Sequence, residues 1–176
     1  MVDFNMCKYD NESFVNREQK MHDLKQEYQK CVSQYISDFY NNPNERVFAL
    51  HACLMLQIMI ERLKTVGVTI PEEYEFEVQM IGELGNLYKH GKLTSYLEKR
   101  KISDISQVQY RPHTGLGLFE VPFGQATFNN GGIYACAAKT NEAECKASNG
   151  EREWKQVYPW VKKVQSFVEK LMRSIP

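Results

Sequence analysis

The sequence predicts a mainly α-helical protein: a four-helix bundle with a small antiparallel β-hairpin inserted between helices three and four. Four segments carry apolar residues at spacings of three and four, the period of an amphipathic helix. Residues 105–138 instead show alternating, β-rich runs. The links between the helical segments are short, which favours antiparallel neighbours. Because 176 residues can bury a sizeable core, we expect one domain over residues 1–176.

The first helix is predicted over residues 12–40. Its apolar residues fall on one face, namely Met21, Leu24, Tyr28, Cys31, Tyr35 and Phe39. Residues 41–43 break the chain, and a second helix is expected to begin with Asn44 as its N-cap. Residues 47–60 are apolar almost all round, which is typical of a central helix that is touched on most sides.

A third helix is predicted over residues 71–91, with Pro71 in its first turn and Gly91 as its C-cap. Its predicted core face consists of Phe76, Met80, Ile81, Leu84 and Tyr88. A short helical piece is expected to follow at residues 93–100.

The rest of the chain, after residue 100, is predicted to contain the β insertion, a loop and the last helix. Residues 105–138 carry two to four short strands, and Asn129-Asn130-Gly131-Gly132 is a strong hairpin-turn signal. The polar residues 140–150 are expected to form a loop. The last helix is predicted over residues 151–173, kinked or restarted at Pro159.

Composition narrows the functional classes. Lys plus Arg and Asp plus Glu are balanced at 22 each, so there is no global electrostatic argument for binding nucleic acid or an anionic membrane. Lys99-Arg100-Lys101 is a local basic run, although solvated surface charge is the simpler interpretation. The longest apolar stretch is too short and too interrupted to span a bilayer, and the N-terminus lacks the pattern of a secretory signal. The five cysteines are scattered. We expect a cytoplasmic protein without metal, cofactor or membrane contact.

Arg46 and His51 form the first candidate site. On one helix their side chains lie about 140° apart around the axis, yet a long Arg can bend towards a His one turn away. Such a pair can place a general acid or base near a phosphate and a positive charge against it. The alternative is an exposed first-turn Arg and a structural His in the core.

A second candidate site lies in the third predicted helix. Glu83, Asn86, Lys89 and His90 recur at spacings that bring Asn86, His90 and Glu83 to one side. This stripe can bind a phosphate or transfer protons if it faces His51, and His51, Asn86 and His90 can then line a small-ligand pocket. The alternative is that Lys89 and His90 only complement the negative helix end.

The β insertion is rich in aromatic residues, namely Tyr110, Phe119, Phe123, Phe128 and Tyr134. If they are exposed they mark a surface for a protein partner or for self-association. The alternative is that they pack the hairpin onto the helices.

Arg46-(x)4-His51, the helical bundle and the segment Asn86-Leu87-Tyr88-Lys89-His90-Gly91 together resemble the HEPN superfamily and its bacterial helical-bundle members. The resemblance covers roughly residues 12–100 and the last helix. It implies metal-independent RNA cleavage at a homodimer interface, with His51 as acid or base and Arg46 stabilising charge. It equally implies inactive members that act as interaction or dimerisation modules, because a fold does not by itself determine function.

We therefore expect a HEPN-like interaction or oligomerisation module of a prokaryotic or phage defence or stress system. It is predicted to be a homo-oligomer, with a protein partner at the β insertion and RNA as a further candidate partner. Whether it is an enzyme stays open at this point. The alternatives are a metal-independent endoribonuclease using Arg46 and His51, and a small-ligand pocket between helices two and three.

Overall fold

The structure is a computed structural model that describes residues 6–112 and 131–175. The helices are α1 (Met6–Glu27), α2 (Ser33–Asn41), α3 (Arg46–Thr65), α4 (Glu72–His90), α5 (Glu142–Ser148) and α6 (Val157–Ser174). A π-helical turn, Tyr28–Val32, joins α1 to α2, and short 3-10 turns form at Leu97–Lys99 and Ile105–Gln107. The strands are β1 (Val108–Arg111), β2 (Gly132–Ala138) and β3 (Arg152–Gln156).

The predicted fold class is confirmed at a coarse level, because the described residues are mainly helical with one small antiparallel sheet. They do not confirm the simpler arrangement of four helices and one hairpin. Residues 140–150 were expected to form a loop but contain α5, and the start of the last predicted helix is the strand β3. The last helix begins at Val157, and Pro159 lies in its first turn, where no backbone donor is needed.

The π-helical turn changes which residues of the first helical segment are buried. A π-turn inserts one extra residue into the helical repeat. The predicted stripe continues from Tyr28 to Cys31 and Tyr35, whereas the buried stripe continues to Val32 and Ile36. Cys31 and Tyr35 are half-buried as a consequence. Tyr35 is thereby released from the core and lies beside α3.

Helix α3 is the centre of the helical layer, as predicted, although it begins at Arg46 without a side-chain cap from Asn44. Nine of its residues from Ala49 to Leu63 are buried, and all of them except Gln57 belong to the hydrophobic core. Helix α4 runs antiparallel to it and ends at Gly91, whose φ of +70° suits the predicted C-cap. The predicted core positions Phe76 and Tyr88 of α4 are exposed instead.

The sheet has the strand order β1-β2-β3, and both pairs are antiparallel. Val108 lies opposite Ala135, and Cys136 lies opposite Trp154. Val108, Ile133, Ala135 and Ala137 are buried in the same hydrophobic core as the helices. The predicted turn at Asn129-Asn130 lies outside the described residues. In the described part of the chain, no helix is both long and apolar enough to cross a membrane.

Candidate functional site

His51 is the centre of an aromatic cluster that joins three helices. Its Nε2 is hydrogen-bonded to the hydroxyl of Tyr88 on α4. The His51 and Tyr88 rings meet edge to face with centroids 4.6 Å apart, and Tyr35 of α2 packs on the other side at 5.7 Å. His51 is half-buried and Tyr88 is 36% exposed. The cluster therefore lies at the surface, and both neighbours of His51 are residues that the sequence pattern assigned to the core.

Arg46 is held away from His51. It is the first residue of α3, and its Nη1 donates to the carbonyl of Val108 in β1 at 3.3 Å. No hydrogen bond joins Arg46 to His51 in the part of the chain that the structure describes. The structure thus places both predicted catalytic residues near one end of α3 but gives each a different partner. Their catalytic role stays a prediction.

The outer side of α3 between α2 and α4 is apolar. Val47, Leu54 and Ile58 share this side with His51 at spacings of three and four residues. Val47 is 44% exposed, and Leu54 and Ile58 are partly exposed. We call these four residues, together with Tyr35 and Tyr88, the α3 face. It is an apolar surface that the described residues leave partly exposed.

Asn86 belongs to the packing of α3 against α4. Its Oδ1 accepts a hydrogen bond of 3.1 Å from Gln57 Nε2, which also donates to Glu61. Gln57 is buried, and its Oε1 has no hydrogen-bond partner among the described residues. That oxygen lies against Gly85, where any Cβ would overlap it. Asn86 thus stabilises a polar junction inside the helix pair.

Glu83 anchors a loop. It is 5% exposed, and its carboxylate accepts hydrogen bonds of 2.9 Å from the backbone N–H groups of Lys101 and Ile102. Gln79 Nε2 donates a further bond. Burial raises the pKa of Glu83, and these hydrogen bonds oppose the increase. The role of Glu83 in this structure is to hold the chain that follows α4.

Residues 92–103 form that loop, which we call the basic loop. Leu93 N–H donates to the Ser103 carbonyl at 2.7 Å, and Lys92 pairs with Asp104, so the base is closed. Leu93 and Ile102 are buried in the core. Tyr96 lies at the tip with φ of +56° and is 66% exposed. Lys89 and His90, which lead into the loop, are also exposed.

The predicted site residues therefore divide among five places. The residues lie as follows: Arg46 at the start of α3 against β1, His51 in the α3 face, Asn86 in the interior of the helix pair, Glu83 at the loop anchor, and Lys89 and His90 at the exposed end of α4. The pocket predicted from His51, Asn86 and His90 is not assembled by these contacts. A cavity of about 430 Å³ lies instead at the turn between α3 and α4, with Lys64, Ile70 and Glu75 in its wall.

The structure contains a buried carboxylate that no sequence pattern predicts. Glu142 in α5 is fully buried and accepts two hydrogen bonds from Arg152 of β3, at 2.7 and 2.9 Å, and one from Gln107. Burial alone would raise its pKa, but the bonds from Arg152 and Gln107 and the Arg152 charge hold that pKa below the ordinary value. A Glu in a polar stretch of sequence carries no signal for such a partner.

The described residues contain no group of three or more His, Cys, Asp or Glu side chains that can hold a metal ion. Of the aromatic residues of the β insertion, Tyr110 is 47% exposed and Tyr134 is half-buried. Phe119, Phe123 and Phe128 lie outside the described residues.

Comparison with protein-family models, with curated proteins and with solved structures finds no match to this chain. The HEPN resemblance therefore stays a prediction. The function is inferred below from the contacts and the exposure of the described residues.

Proposed function

We propose that the protein is a non-catalytic self-association module in which the α3 face packs against the α3 face of a second copy. The observation that carries this proposal is the apolar outer side of α3. A central helix of a layer is normally covered on both sides, and exposed contiguous apolar surface marks an interaction site. Val47, Leu54 and Ile58 supply the apolar area, and Tyr35 and Tyr88 flank it with aromatic rings of the kind enriched in interfaces.

The charges of α4 favour a second copy as the occupant. The first turn of α4 carries Glu72, Glu73 and Glu75, and its last turn carries Lys89 and His90. A twofold axis that lies in the α3 face and is perpendicular to α3 places the acidic end of one α4 near the basic end of the other. Such an isologous interface is the commonest symmetry of soluble oligomers.

The non-catalytic part of the proposal rests on Arg46 and His51. A phosphate-cleaving pair needs both groups directed at one reacting site. Here Arg46 donates to a β1 carbonyl and His51 is bonded to Tyr88. A place in a defence or stress system is supported only by the HEPN resemblance.

Self-association is tested by sedimentation velocity of the wild type and of Ile58→Glu across a wide concentration range. We expect the wild type to dimerise and the variant to dissociate at least about 100-fold more readily, because a charge buried without a partner is costly. Tyr96→Glu is the matched control, since Tyr96 is exposed outside the α3 face. A monomeric wild type, or equal weakening by both variants, contradicts the proposal.

Catalysis is tested separately by incubating RNA with the wild type and with His51→Ala in the presence of EDTA. We expect the RNA to stay intact with both proteins. Cleavage by the wild type that disappears in His51→Ala would show instead that the protein is the metal-independent endoribonuclease of the alternative hypothesis.

A further inference from the structure

The basic loop presents its tip on a rigid base. Its two ends are joined by the hydrogen bond between Leu93 and Ser103 and by the Lys92–Asp104 bridge. The backbone N–H groups of Lys101 and Ile102 donate to the Glu83 carboxylate of α4, which anchors the end of the loop. The neighbouring carbonyl of Arg100 accepts from Glu142 N–H at 2.8 Å. A loop closed and anchored in this way resembles the compact surface loops that often carry function.

Tyr96 is held at the tip of this loop in an unfavourable conformation. A left-handed backbone is uncommon and strained for a bulky residue, whereas Gly adopts it readily. Burial does not offset the cost, because the side chain is 66% exposed. Strained residues of this kind concentrate at binding sites. The loop therefore displays an aromatic ring that folding does not require.

The basic loop and the end of α4 that leads into it carry an excess of positive charge. Residues 89–101 contain five Lys or Arg residues and one acidic residue, Glu98. Lys89 and Lys99 are exposed, and their ammonium groups have no partner within the described residues. Arg100 Nε donates to the Ser95 carbonyl at 2.8 Å, which keeps a guanidinium beside the tip.

We infer that the basic loop binds a single-stranded nucleic acid, with Tyr96 stacking on a base and Lys99 contacting a flanking phosphate. An exposed aromatic ring among cations is the arrangement with which proteins hold unpaired strands. A duplex offers no unstacked base to such a ring. An anionic membrane fits less well because the leucines of the loop face inwards, with Leu93 buried and Leu97 half-buried. The tip itself is polar apart from Tyr96.

The inference is tested by fluorescence anisotropy with RNA and DNA oligomers of one mixed sequence, at low salt and with EDTA. Binding of either oligomer supports the inference, and the two affinities show which backbone is preferred. Tyr96→Gly is expected to bind about 5- to 150-fold more weakly, the value of one stacked base. Its melting temperature is expected to be at least that of the wild type, because the strain is removed. Tyr96→Phe is expected to retain wild-type affinity.

A second variant tests the contact between Lys99 and a phosphate. Lys99→Gln is expected to lower the slope of log affinity against log salt by about 0.7, the value of one phosphate contact to a single strand. Lys162→Gln is the matched control, since Lys162 is an exposed residue of α6 and not part of the basic loop. It is expected to leave the slope unchanged.

Three results would overturn the inference: a wild type that binds neither oligomer, a Tyr96→Gly variant with wild-type affinity, or loop-dependent binding to phosphatidylserine vesicles only. Ile58→Glu is expected to bind the oligomers like the wild type, so that failure of self-association and failure of nucleic-acid binding are told apart.

Discussion

Gly85 decides how closely α3 and α4 approach. A Cβ at this position would lie 3.0 Å from the Leu54 Cα and would overlap Gln57 Oε1. Helical Gly is normally a weakness, since it loses more conformational entropy on folding than Ala. Here the absence of a side chain allows the two backbones to meet. Gly82, one turn earlier in the same helix, has open space where its Cβ would be.

Gly85→Ala and Gly82→Ala are expected to change stability in opposite directions. The first is expected to lower the free energy of unfolding by about 1–3 kcal/mol through overpacking. The second is expected to raise it by about 0.5–1 kcal/mol through a better helix propensity. Urea denaturation of both variants checks this. If both variants are more stable than the wild type, the claim that α3 and α4 approach closely at Gly85 is wrong.

At the scale of elements, a buried acid connects a helix to a loop. Glu83 was expected at a binding site, but its carboxylate caps the backbone of Lys101 and Ile102. Sequence spacing identified the face of α4 on which Glu83 lies. It did not identify the partners, because they are backbone N–H groups some eighteen residues away and carry no residue signature.

Glu83→Ala is expected to lower stability by about 1–3 kcal/mol, because two buried backbone donors lose their acceptor. The amide protons of Lys101 and Ile102 are expected to exchange faster than in the wild type. Hydrogen exchange followed by NMR measures both effects. Glu73→Ala, at an exposed position of α4, is the control and is expected to leave these amides unchanged.

Strand β3 shows how pairing overrides a local pattern. Residues 152–156 fit the start of an amphipathic helix because Trp154 continues the apolar stripe of α6. The same five residues also alternate, with Arg152 and Trp154 on one side and Glu153 on the other. The free edge of β2 selects the strand, since its backbone groups need partners. Asn149, with φ of +50°, ends α5 and turns the chain back.

At the scale of the whole molecule, stability at acid pH depends on two buried carboxylates of opposite effect. The pKa of Glu142 lies below its ordinary value of 4.5, so its contribution is complete above that value and is lost as pH falls through the folded pKa. The pKa of Glu83 is raised from 4.5, so its contribution is complete below that value and is lost as pH rises through the folded pKa.

Glu142→Gln is expected to lower the free energy of unfolding at neutral pH by about 3 kcal/mol, because Arg152 loses its buried partner. Below pH 4.5 the difference from the wild type is expected to shrink. For Glu83→Gln, the difference in free energy of unfolding from the wild type is expected to be larger at about pH 3.5 than at neutral pH. Urea midpoints at neutral pH and at about pH 3.5 test both variants. A Glu142→Gln deficit that is constant with pH contradicts the proposed ion pair.

Local sequence patterns were sufficient to predict the four long helical segments, most of their buried positions and the presence of a small antiparallel sheet. These features follow from local periodicity, which every stretch of chain carries within itself. The sequence also singled out His51, Glu83, Lys89 and His90 as unusual, although not what each one contacts.

Three features depend on contacts between distant parts of the chain: the position of Tyr35, strand β3, and the partners of Glu83 and Glu142. One extra residue in the π-helical turn moved Tyr35 from the core to His51. Pairing with β2 makes the predicted start of the last helix a strand, β3. Glu83 and Glu142 are hydrogen-bonded to residues outside their own helices. The physical reason is common to all of them. A helical register shift, a strand pairing and a buried hydrogen bond each depend on groups distant in the chain, which a local pattern does not contain.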